Sequence, residues 1–292
     1  MIAGGLAAAT VIPRRLDDRV VTALTRLWLL AHPGAVSRLT VAMRERLGRD
    51  TVAGEPLHTV AKAHYRSRFQ TGWERVRALQ GGALTGEVEL EGRDLVEEGL
   101  AAGRGVILWR MAVGGGPALM SAFHRAGLPL VHLSRVEHGS RHLSRFGLAT
   151  LCRMWQRAEN RFLEERVAIP VDGALDYVRV LTERLAANKV LSIAGEHAGK
   201  GGVTVRVLGS ERQLATGAAA LAWECGARLL TCATVQAAPA RRRVVVDPPI
   251  ELAAGAGRRA AVAGAVEEYA RRLELRVRAH PADWRGWGTR LI

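Results

Sequence analysis

A helical repeat of apolar positions runs through the first quarter of the chain. Between residues 17 and 80, apolar side chains recur every three or four positions, which is the pattern of helices that bury one face. Pro33-Gly34 and Gly81-Gly82 interrupt it, because proline and glycine break helices. The pattern predicts three helices: one through Val20–Leu30, then Ala35–Leu47 and His58–Leu79.

After residue 81 the pattern changes to short apolar runs that alternate with helical segments. Val106–Trp109 is a continuous apolar run, which is typical of a strand buried on both faces of a parallel sheet. Pro117 suits the first turn of the next helix and Gly127 suits its end. The alternation predicts right-handed crossovers and an α/β fold with a mostly parallel central sheet flanked by helices.

The remaining elements follow from the same pattern. The predicted strands are Val88–Leu90, Leu130–Leu133, Val190–Ala194, Val203–Leu208, Leu229–Val235 and Arg243–Val246. The predicted helices are Leu95–Ala102, the segment from Pro117 to Gly127, Asp172–Ala187 with Asp172 as its cap, Gly217–Cys225 and Arg258–Ala279. No linker marks a second domain. We therefore expect one domain over 1–292, in which a helical part (1–80) packs on an α/β core (81–292).

The composition adds a strong positive charge. The formal net charge is +14, and all basic side chains except Lys62, Lys189 and Lys200 are arginines. Such a chain favours acidic partners, including an anionic membrane surface, an acidic carrier protein or a phosphorylated substrate. Nucleic acid is not expected, because the sequence contains no helix-turn-helix, zinc or aromatic-basic binding module.

The lengths of the apolar runs and the spacing of the cysteines indicate whether the protein spans a membrane, forms disulfides or binds a metal. No apolar run reaches the roughly 20 residues of a membrane span, so a soluble or peripheral protein is expected, and Met1–Ile12 suits an interfacial tip. Cys152, Cys225 and Cys232 are interpreted as reduced thiols. No set of histidine, cysteine and aspartate has metal-ligand spacing, and neither a metal nor a cofactor is predicted.

The segment Gly103–Pro117 combines a buried strand with a triple-glycine turn that opens a helix. Gly114, Gly115 and Gly116 allow backbone N–H groups to approach a ligand closely, and a helix N-terminus attracts negative charge. Together with Arg110, this turn could hold a phosphate, a carboxylate or a thioester oxyanion. The alternative is a tight strand–helix turn without a ligand.

Several segments, in order along the chain, resemble the bacterial lipid A lauroyl/myristoyl acyltransferases of the lysophospholipid acyltransferase superfamily. Gly103–Pro117 resembles their active-site segment. Gly202–Gly209 and Leu214–Ala222 resemble the strand and the Thr-Gly helix that follow. His280–Trp287 resembles their terminal Pro-Glu-x-Trp-x-Trp element, with Asp283 where Glu is usual. The resemblance implies an acyltransferase-like fold.

The resemblance fails at the catalytic pair. The family carries His-x-x-x-x-Asp/Glu at the turn, where the histidine is the general base for an acceptor hydroxyl that attacks an acyl thioester. Ala112 and Pro117 occupy these positions here. No histidine lies between His64 and His124, so a shifted match does not restore the base.

Other residues are candidates to replace the missing base or to bind substrate. The resemblance places the loop Ala194–Gly201 near the active site, where Glu196 or His197 could act as the base and Lys200 could attract an acidic substrate. A solvated loop is the alternative. The resemblance also places substrate contacts near Arg135.

Position in the sheet adds a further argument. Trp109, Gly114, Glu196 and His197 map to the carboxyl ends of predicted strands, where open α/β sheets bind ligands. One cleft is therefore expected there. Thr216 is most simply a helix cap, and it is also a substrate-binding candidate because its helix starts at the same edge.

Two functions follow as hypotheses. The first is an acyltransferase that takes a fatty acyl group from acyl carrier protein or acyl-CoA and passes it to a lipid, hydroxyl or amine acceptor by a non-standard mechanism. The second is a non-catalytic homologue, a pseudoenzyme that binds an acyl chain or acyl carrier protein and acts with a partner enzyme. The resemblance implies a cytoplasmic protein, peripheral on the inner face of the bacterial inner membrane.

Overall fold

The computed structural model describes residues 12–79, 86–135, 152–170, 175–196, 202–238, 241–253, 255 and 257–288. Helices and strands alternate through most of this part of the chain. The helices are α1 (Asp17–Ala31), α2 (Ala35–Leu47), α3 (Leu57–Leu79), α4 (Arg93–Ala101), α5 (Gly116–Arg125), α6 (Arg153–Asn160), α7 (Asp176–Ala186), α8 (Gly217–Cys225) and α9 (Arg258–Ala279). Short 3₁₀ turns lie at Arg14–Leu16, Pro281–Asp283 and Arg285–Gly288.

The strands form one large sheet and two small ribbons. They are β1 (Thr51–Val52), β2 (Glu55–Pro56), β3 (Glu87–Glu91), β4 (Val106–Arg110), β5 (Leu130–Arg135), β6 (Leu163–Ile169), β7 (Val190–Ala194), β8 (Gly202–Val207), β9 (Ser210–Ala215), β10 (Arg228–Ala238) and β11 (Arg241–Val246). The large sheet has the order β3-β11-β10-β4-β7-β5-β6, while β1 pairs with β2 and β8 pairs with β9.

The large sheet is mostly parallel. Strands β10, β4, β7, β5 and β6 run in one direction. The hairpin between β10 and β11 is antiparallel, so β11 and its parallel neighbour β3 run the other way. This arrangement confirms the predicted α/β class.

Strand β4 lies in the middle of the sheet because both of its faces are apolar. Ile107 and Trp109 pack on one face, in the same cluster as Leu39 of α2 and Tyr269 of α9. Val106 and Leu108 pack on the other face, in the cluster that contains Phe123 of α5. The alternation follows from the pleat, in which successive side chains point to opposite faces.

The carboxyl ends of β4, β7 and β10 meet at one edge. Arg110 pairs with Ala194 of β7 and with Cys232 of β10. Strand β10 then continues to Ala238 beyond the end of β4. Because β10 extends further than β4, there is room above the end of β4. The turn after β4 and the C-terminal segment (residues 280–288) occupy it.

The helical prediction for the first part of the chain is confirmed by α1, α2 and α3. Among the described residues, no helix is long and apolar enough to cross a membrane. Helix α6, strand β6 and the hairpin partner β9 were not predicted from the sequence. Asp172, the predicted cap of α7, lies outside the described residues.

Candidate functional site

A cleft of about 490 Å³ opens at the carboxyl end of β4. Helix α3 contributes Arg68, Thr71, Gly72 and Arg75 to its wall, and β4 with its following turn contributes residues 110–116. Ala194, Glu196, Thr234 and Arg285 complete the described lining. The structure thus brings four of the predicted site residues, Arg110, Gly114, Gly115 and Gly116, together with Glu196.

Gly114 shapes the turn after β4. Its φ is +71°, a conformation that glycine adopts without side-chain strain. A Cβ at this position would collide with the backbone carbonyl of Thr234 on β10. Gly115 is extended and Gly116 begins α5, so the first N–H groups of that helix, which have no intrahelical acceptor, lie at the cleft.

The C-terminal segment holds this turn in place as a short added strand. Val113 and Trp284 form an antiparallel bridge. The Gly114 N–H donates to the carbonyl of Asp283 at 2.7 Å, and the Arg285 N–H donates to the carbonyl of Ala112 at 2.8 Å. Both backbone strands of the cleft wall are therefore fixed by main-chain hydrogen bonds.

Glu196 joins the end of β7 to the same two segments. Its Oε1 accepts a hydrogen bond from the Ala112 N–H at 2.6 Å, and its Oε2 accepts one from the Trp284 indole N–H at 3.0 Å. Burial raises the pKa of this carboxyl, although both hydrogen bonds and the charges of Arg212 and Arg110 oppose the rise. The result is an oriented carboxylate beside position 112.

Arg110 is a partly buried cation next to the first turn of α5. Its Nη1 would lie only 2.8 Å from a Cβ at Gly116, so the glycine leaves the guanidinium room. Its side chain forms no hydrogen bond with any described residue, and its Nε is buried without a partner. Burial lowers the pKa of this guanidinium, because a charged group loses its hydration there.

Arg285 approaches the cleft from the C-terminal segment. Its Nη2 donates to the Thr71 hydroxyl at 2.9 Å and to the carbonyl of Ser67 at 3.3 Å. Burial and the nearby charges of Arg242, Arg68 and Arg75 lower the pKa of Arg285 to about 10. The neighbouring positive charges, those of Arg68 and Arg75 in the cleft among them, therefore disfavour the charged form of Arg285.

Positive charge in this cleft exceeds negative charge among the described lining residues. Four guanidinium groups line it, from Arg68, Arg75, Arg110 and Arg285, against the single carboxylate of Glu196. Arg75 also lies 3.7 Å from the buried carboxylate of Glu159. A cleft with one predominant sign of charge concentrates ligands of the opposite sign, so the geometry suits an anionic group.

Buried polar contacts support the wall from behind. Asp283 accepts hydrogen bonds from the Ser67 hydroxyl at 3.0 Å and from the Gln236 N–H at 2.9 Å. Arg242 donates to Glu74 on α3 at 3.0 Å. Burial raises the pKa of Glu74, and the Arg242 charge opposes the rise. These contacts tie α3 to β10, β11 and the C-terminal segment.

Other residues singled out in the sequence lie elsewhere. Arg135 is exposed at the end of β5, and Thr216 precedes α8; neither is among the residues that line the cleft. Thr216 occupies the predicted N-cap position of α8, where its carbonyl accepts from the Ala220 N–H at 2.9 Å, but its side chain makes no capping hydrogen bond. Trp109 is buried beneath the cleft and stacks on Tyr269, with ring centroids 4.3 Å apart. His197 and Lys200 lie outside the described residues.

None of the histidines that the structure describes lines the cleft. His64, on α3, has its Nδ1 3.0 Å from the carbonyl of Ala282. Burial and the charge of Arg285 lower the pKa of His64 to about 3. The ring is therefore neutral and donates to the C-terminal segment as a structural contact.

Sequence reasoning missed Arg68, Arg75 and Arg285 as cleft residues. Arg68 and Arg75 are two helical turns apart on α3, and Thr71 and Gly72 lie between them on the same face. A polar stripe on a largely buried helix was the available signal. Arg285 stood inside the terminal element but was not distinguished there from the aromatic residues.

Comparison with known protein families finds a match that covers part of the cleft. Residues 151–288, a little under half of the chain, match the family described as bacterial lipid A biosynthesis acyltransferase. Over this segment the chain is similar to that family. The match supports an acyltransferase-like function in lipid biosynthesis. No curated protein matches the chain.

The segment that matches the family contains only part of the cleft. Glu196, Thr234 and Arg285 lie within residues 151–288, whereas Arg110 and the glycine turn precede the match. The family match and the site geometry therefore meet in the second half of the chain. Ala112 and Pro117, where the catalytic pair was expected, lie outside the matched segment.

Proposed function

We propose that this protein transfers a fatty acyl group from an acyl thioester to a hydroxyl or amine of a lipid acceptor, with Glu196 as general base. The observation that carries the proposal is the position of Glu196. Its carboxylate, held by the Ala112 N–H and the Trp284 indole N–H, is the one carboxylate among the described residues that line the arginine-rich cleft.

The two hydrogen bonds orient the Glu196 carboxylate and leave it free acceptor positions. Each carboxylate oxygen accepts one N–H and keeps a further lone pair, because an ionised carboxylate offers about four acceptor positions. Burial raises the pKa of Glu196, and a carboxylate with a raised pKa is a stronger base than an exposed one.

In the proposed reaction, Glu196 takes one proton from the acceptor and passes it to the leaving thiolate. The acceptor oxygen or nitrogen attacks the thioester carbonyl carbon while its proton passes to Glu196. The tetrahedral oxyanion would face the Arg110 guanidinium and the first N–H groups of α5, since the Gly114 N–H already donates to Asp283. The intermediate then collapses, the C–S bond breaks, and the thiolate of acyl carrier protein or coenzyme A takes up the proton.

The arginines supply the second part of the proposal. Arg68, Arg75 and Arg285 surround the cleft and would bind a phosphate or carboxylate of the donor or acceptor, for which guanidinium groups are well suited. Lys200 would add a cation, and His197 remains a second candidate base.

The experiment is a transfer assay with long-chain acyl carrier protein, acyl-CoA and candidate lipid acceptors, followed by mass spectrometry. We expect Glu196→Gln to lower transfer by about 100-fold or more, the scale of a lost general base, while His197→Ala retains most of it. Rates are normalised to folded protein, measured by circular dichroism. Transfer that survives in both variants would rule out a base at either position.

The pH profile of the unmodified protein tests the base without a mutation. A base must be deprotonated, so transfer falls as pH falls through its pKa. Because burial raises the pKa of Glu196 above the ordinary 4.5, the acid limb of the profile should lie above pH 4.5. An acid limb at or below that value would contradict the assignment.

A non-catalytic role is the second candidate, and one observation favours it. The donors on Glu196 belong to the backbone and to a buried tryptophan, so the carboxylate has a structural task that needs no chemistry. Saturable binding of acyl carrier protein by the unmodified protein, with no transfer to any acceptor, would support this role over catalysis.

A further inference from the structure

Helix α1 exposes an unusual concentration of large apolar side chains. The exposed fractions are 39% for Leu24, 64% for Leu27 and 78% for Leu30. The other strongly exposed apolar residues in the described part of the chain are dispersed over α2, α6, α7 and its N-terminus, and α9. Single exposed leucines are ordinary, whereas a contiguous exposed apolar patch marks an interaction site.

The opposite face of α1 is firmly packed, so this exposure is not a consequence of a loose helix. Val21 and Thr25 are buried, and Val21 belongs to the cluster of Trp73 on α3. Trp28 lies against Tyr65, with ring centroids 4.8 Å apart. Ion pairs from Asp17 to Arg77 and from Asp18 to Arg66 fix the start of the helix.

Two arginines share the outward stripe with the leucines. Arg19, Ala23, Arg26, Leu27 and Leu30 follow one another three or four residues apart, or adjacent, along the helix, and all are exposed. Such spacing places them on one face. No described carboxylate forms an ion pair with Arg19 or Arg26. The face therefore combines apolar side chains with uncompensated positive charge.

We propose that the outward face of α1, defined by Arg19, Ala23, Arg26, Leu27 and Leu30, docks on an anionic lipid bilayer. Leucine side chains would enter the acyl boundary while the arginine heads stay at the phosphates, since long basic side chains extend to the polar layer. A second copy of the chain fits less well, because a symmetric pair of these faces would oppose arginine with arginine. This inference does not depend on the chemistry in the cleft.

The docking face lies one helix away from the cleft. Helix α1 packs along α3 through Trp28, Tyr65 and Phe69, and α3 also carries Arg68, Thr71 and Arg75 of the cleft wall. A bilayer held at α1 would therefore be close to a site that handles lipid. This placement is what a peripheral enzyme acting on membrane lipid requires.

The test is flotation of the full chain with vesicles. Phosphatidylcholine vesicles are compared with vesicles of three parts phosphatidylcholine to one part phosphatidylglycerol, over a range of salt concentrations. The variants are Leu27→Gln/Leu30→Gln and Arg19→Gln/Arg26→Gln. Leu275→Gln on α9, where the side chain is 55% exposed, is the control for the leucines, and Arg259→Gln, also exposed, is the control for the arginines.

We expect binding to the anionic vesicles that falls with salt, because surface charges are screened. The leucine variant should lower the vesicle partition coefficient about tenfold or more, given the apolar area withdrawn from the bilayer. The arginine variant should lower binding to anionic vesicles and flatten its salt dependence. Both controls should bind as the unmodified chain does, and circular dichroism should show all four variants folded.

Three results would overturn the proposal. The leucine variant could bind as well as the unmodified chain, which would place any membrane contact elsewhere, for example in residues 1–11. Analytical ultracentrifugation could show a dimer that the leucine variant abolishes, which would assign the face to a second copy. Capture of acyl carrier protein that the arginine variant abolishes, without vesicle binding, would assign it to an acidic protein.

Discussion

Two carboxylates beside the cleft, the half-buried one of Glu196 and the buried one of Asp283, accept hydrogen bonds from different kinds of donor. Both partners of Glu196 are N–H groups, which can only donate. Asp283 accepts from one N–H, of Gln236, and from the Ser67 hydroxyl, which can also accept if it rotates. An amide side chain presents one acceptor and one donor, so it suits the second site and not the first.

This difference predicts opposite outcomes for two equally conservative substitutions. Glu196→Gln should lower the free energy of unfolding by about 1–3 kcal/mol, because one buried N–H loses its acceptor and faces another donor. Asp283→Asn should change it by less than about 1 kcal/mol, since the amide can donate to Ser67. Urea unfolding at neutral pH measures both. If both variants lost the same free energy of unfolding, the kind of donor around each carboxylate would not determine how well an amide is tolerated there.

At the scale of elements, the turn between β4 and α5 depends on a segment about 170 residues away in sequence. Gly114 lies between the carbonyl of Thr234 on β10 and the carbonyl of Asp283, to which it donates. A side chain at 114 therefore meets a neighbouring strand as well as an unfavourable φ. The two effects can be separated, because Gly103 has a similar φ of +73° and open space around it.

We expect Gly114→Ala to destabilise the protein more than Gly103→Ala. Gly103→Ala should lower the free energy of unfolding by about 1–2 kcal/mol, the strain of a side chain at positive φ. Gly114→Ala should add at least about 1–3 kcal/mol for the contact with Thr234, as overpacking does in cores. Thermal and urea unfolding of both variants provide the comparison. Equal losses of unfolding free energy would mean that the turn can move away from β10 without destabilising the protein.

The elements themselves were predictable because their signals are local. The apolar run Val106–Trp109 lies in a strand buried on both faces, and the helical repeat before residue 80 lies in α1, α2 and α3. Strand β6 (Leu163–Ile169) was missed because its outer position leaves a run of three charged residues, 164–166, and a single buried residue, Val167. An edge strand of this kind lacks the continuous apolar run of the sheet centre.

The cleft was predictable only in part, because only some of its residues carry a local signal in the sequence. Glycines at a strand end and Glu196 after another strand could be assigned to one edge, because carboxyl ends of parallel strands meet there. Arg68 and Arg75 reach that edge from α3, and Arg285 reaches it from the C-terminus. Those approaches depend on how helix and tail pack on the sheet, which no local pattern encodes.

At the scale of the whole molecule, the net charge of +14 opposes compaction, and the cleft concentrates part of that charge. The Nε of the partly buried Arg110 is enclosed without a hydrogen-bond partner among the described residues, and an unpaired, partly desolvated charge is costly to hold in a protein. An anion bound at the glycine turn would relieve this cost. Binding of an anion in the cleft is therefore expected to stabilise the fold.

We predict that inorganic pyrophosphate raises the melting temperature of the unmodified protein by several degrees at constant ionic strength, since a ligand at 100 times its Kd adds about 2.7 kcal/mol. Arg110→Met should abolish this rise and should melt at or above the temperature of the unmodified protein without pyrophosphate, because it removes the unpaired, partly buried charge. Arg259→Met, at an exposed arginine on α9, should retain the rise. A rise that persists in Arg110→Met would contradict the prediction, because it would show that Arg110 does not hold the anion.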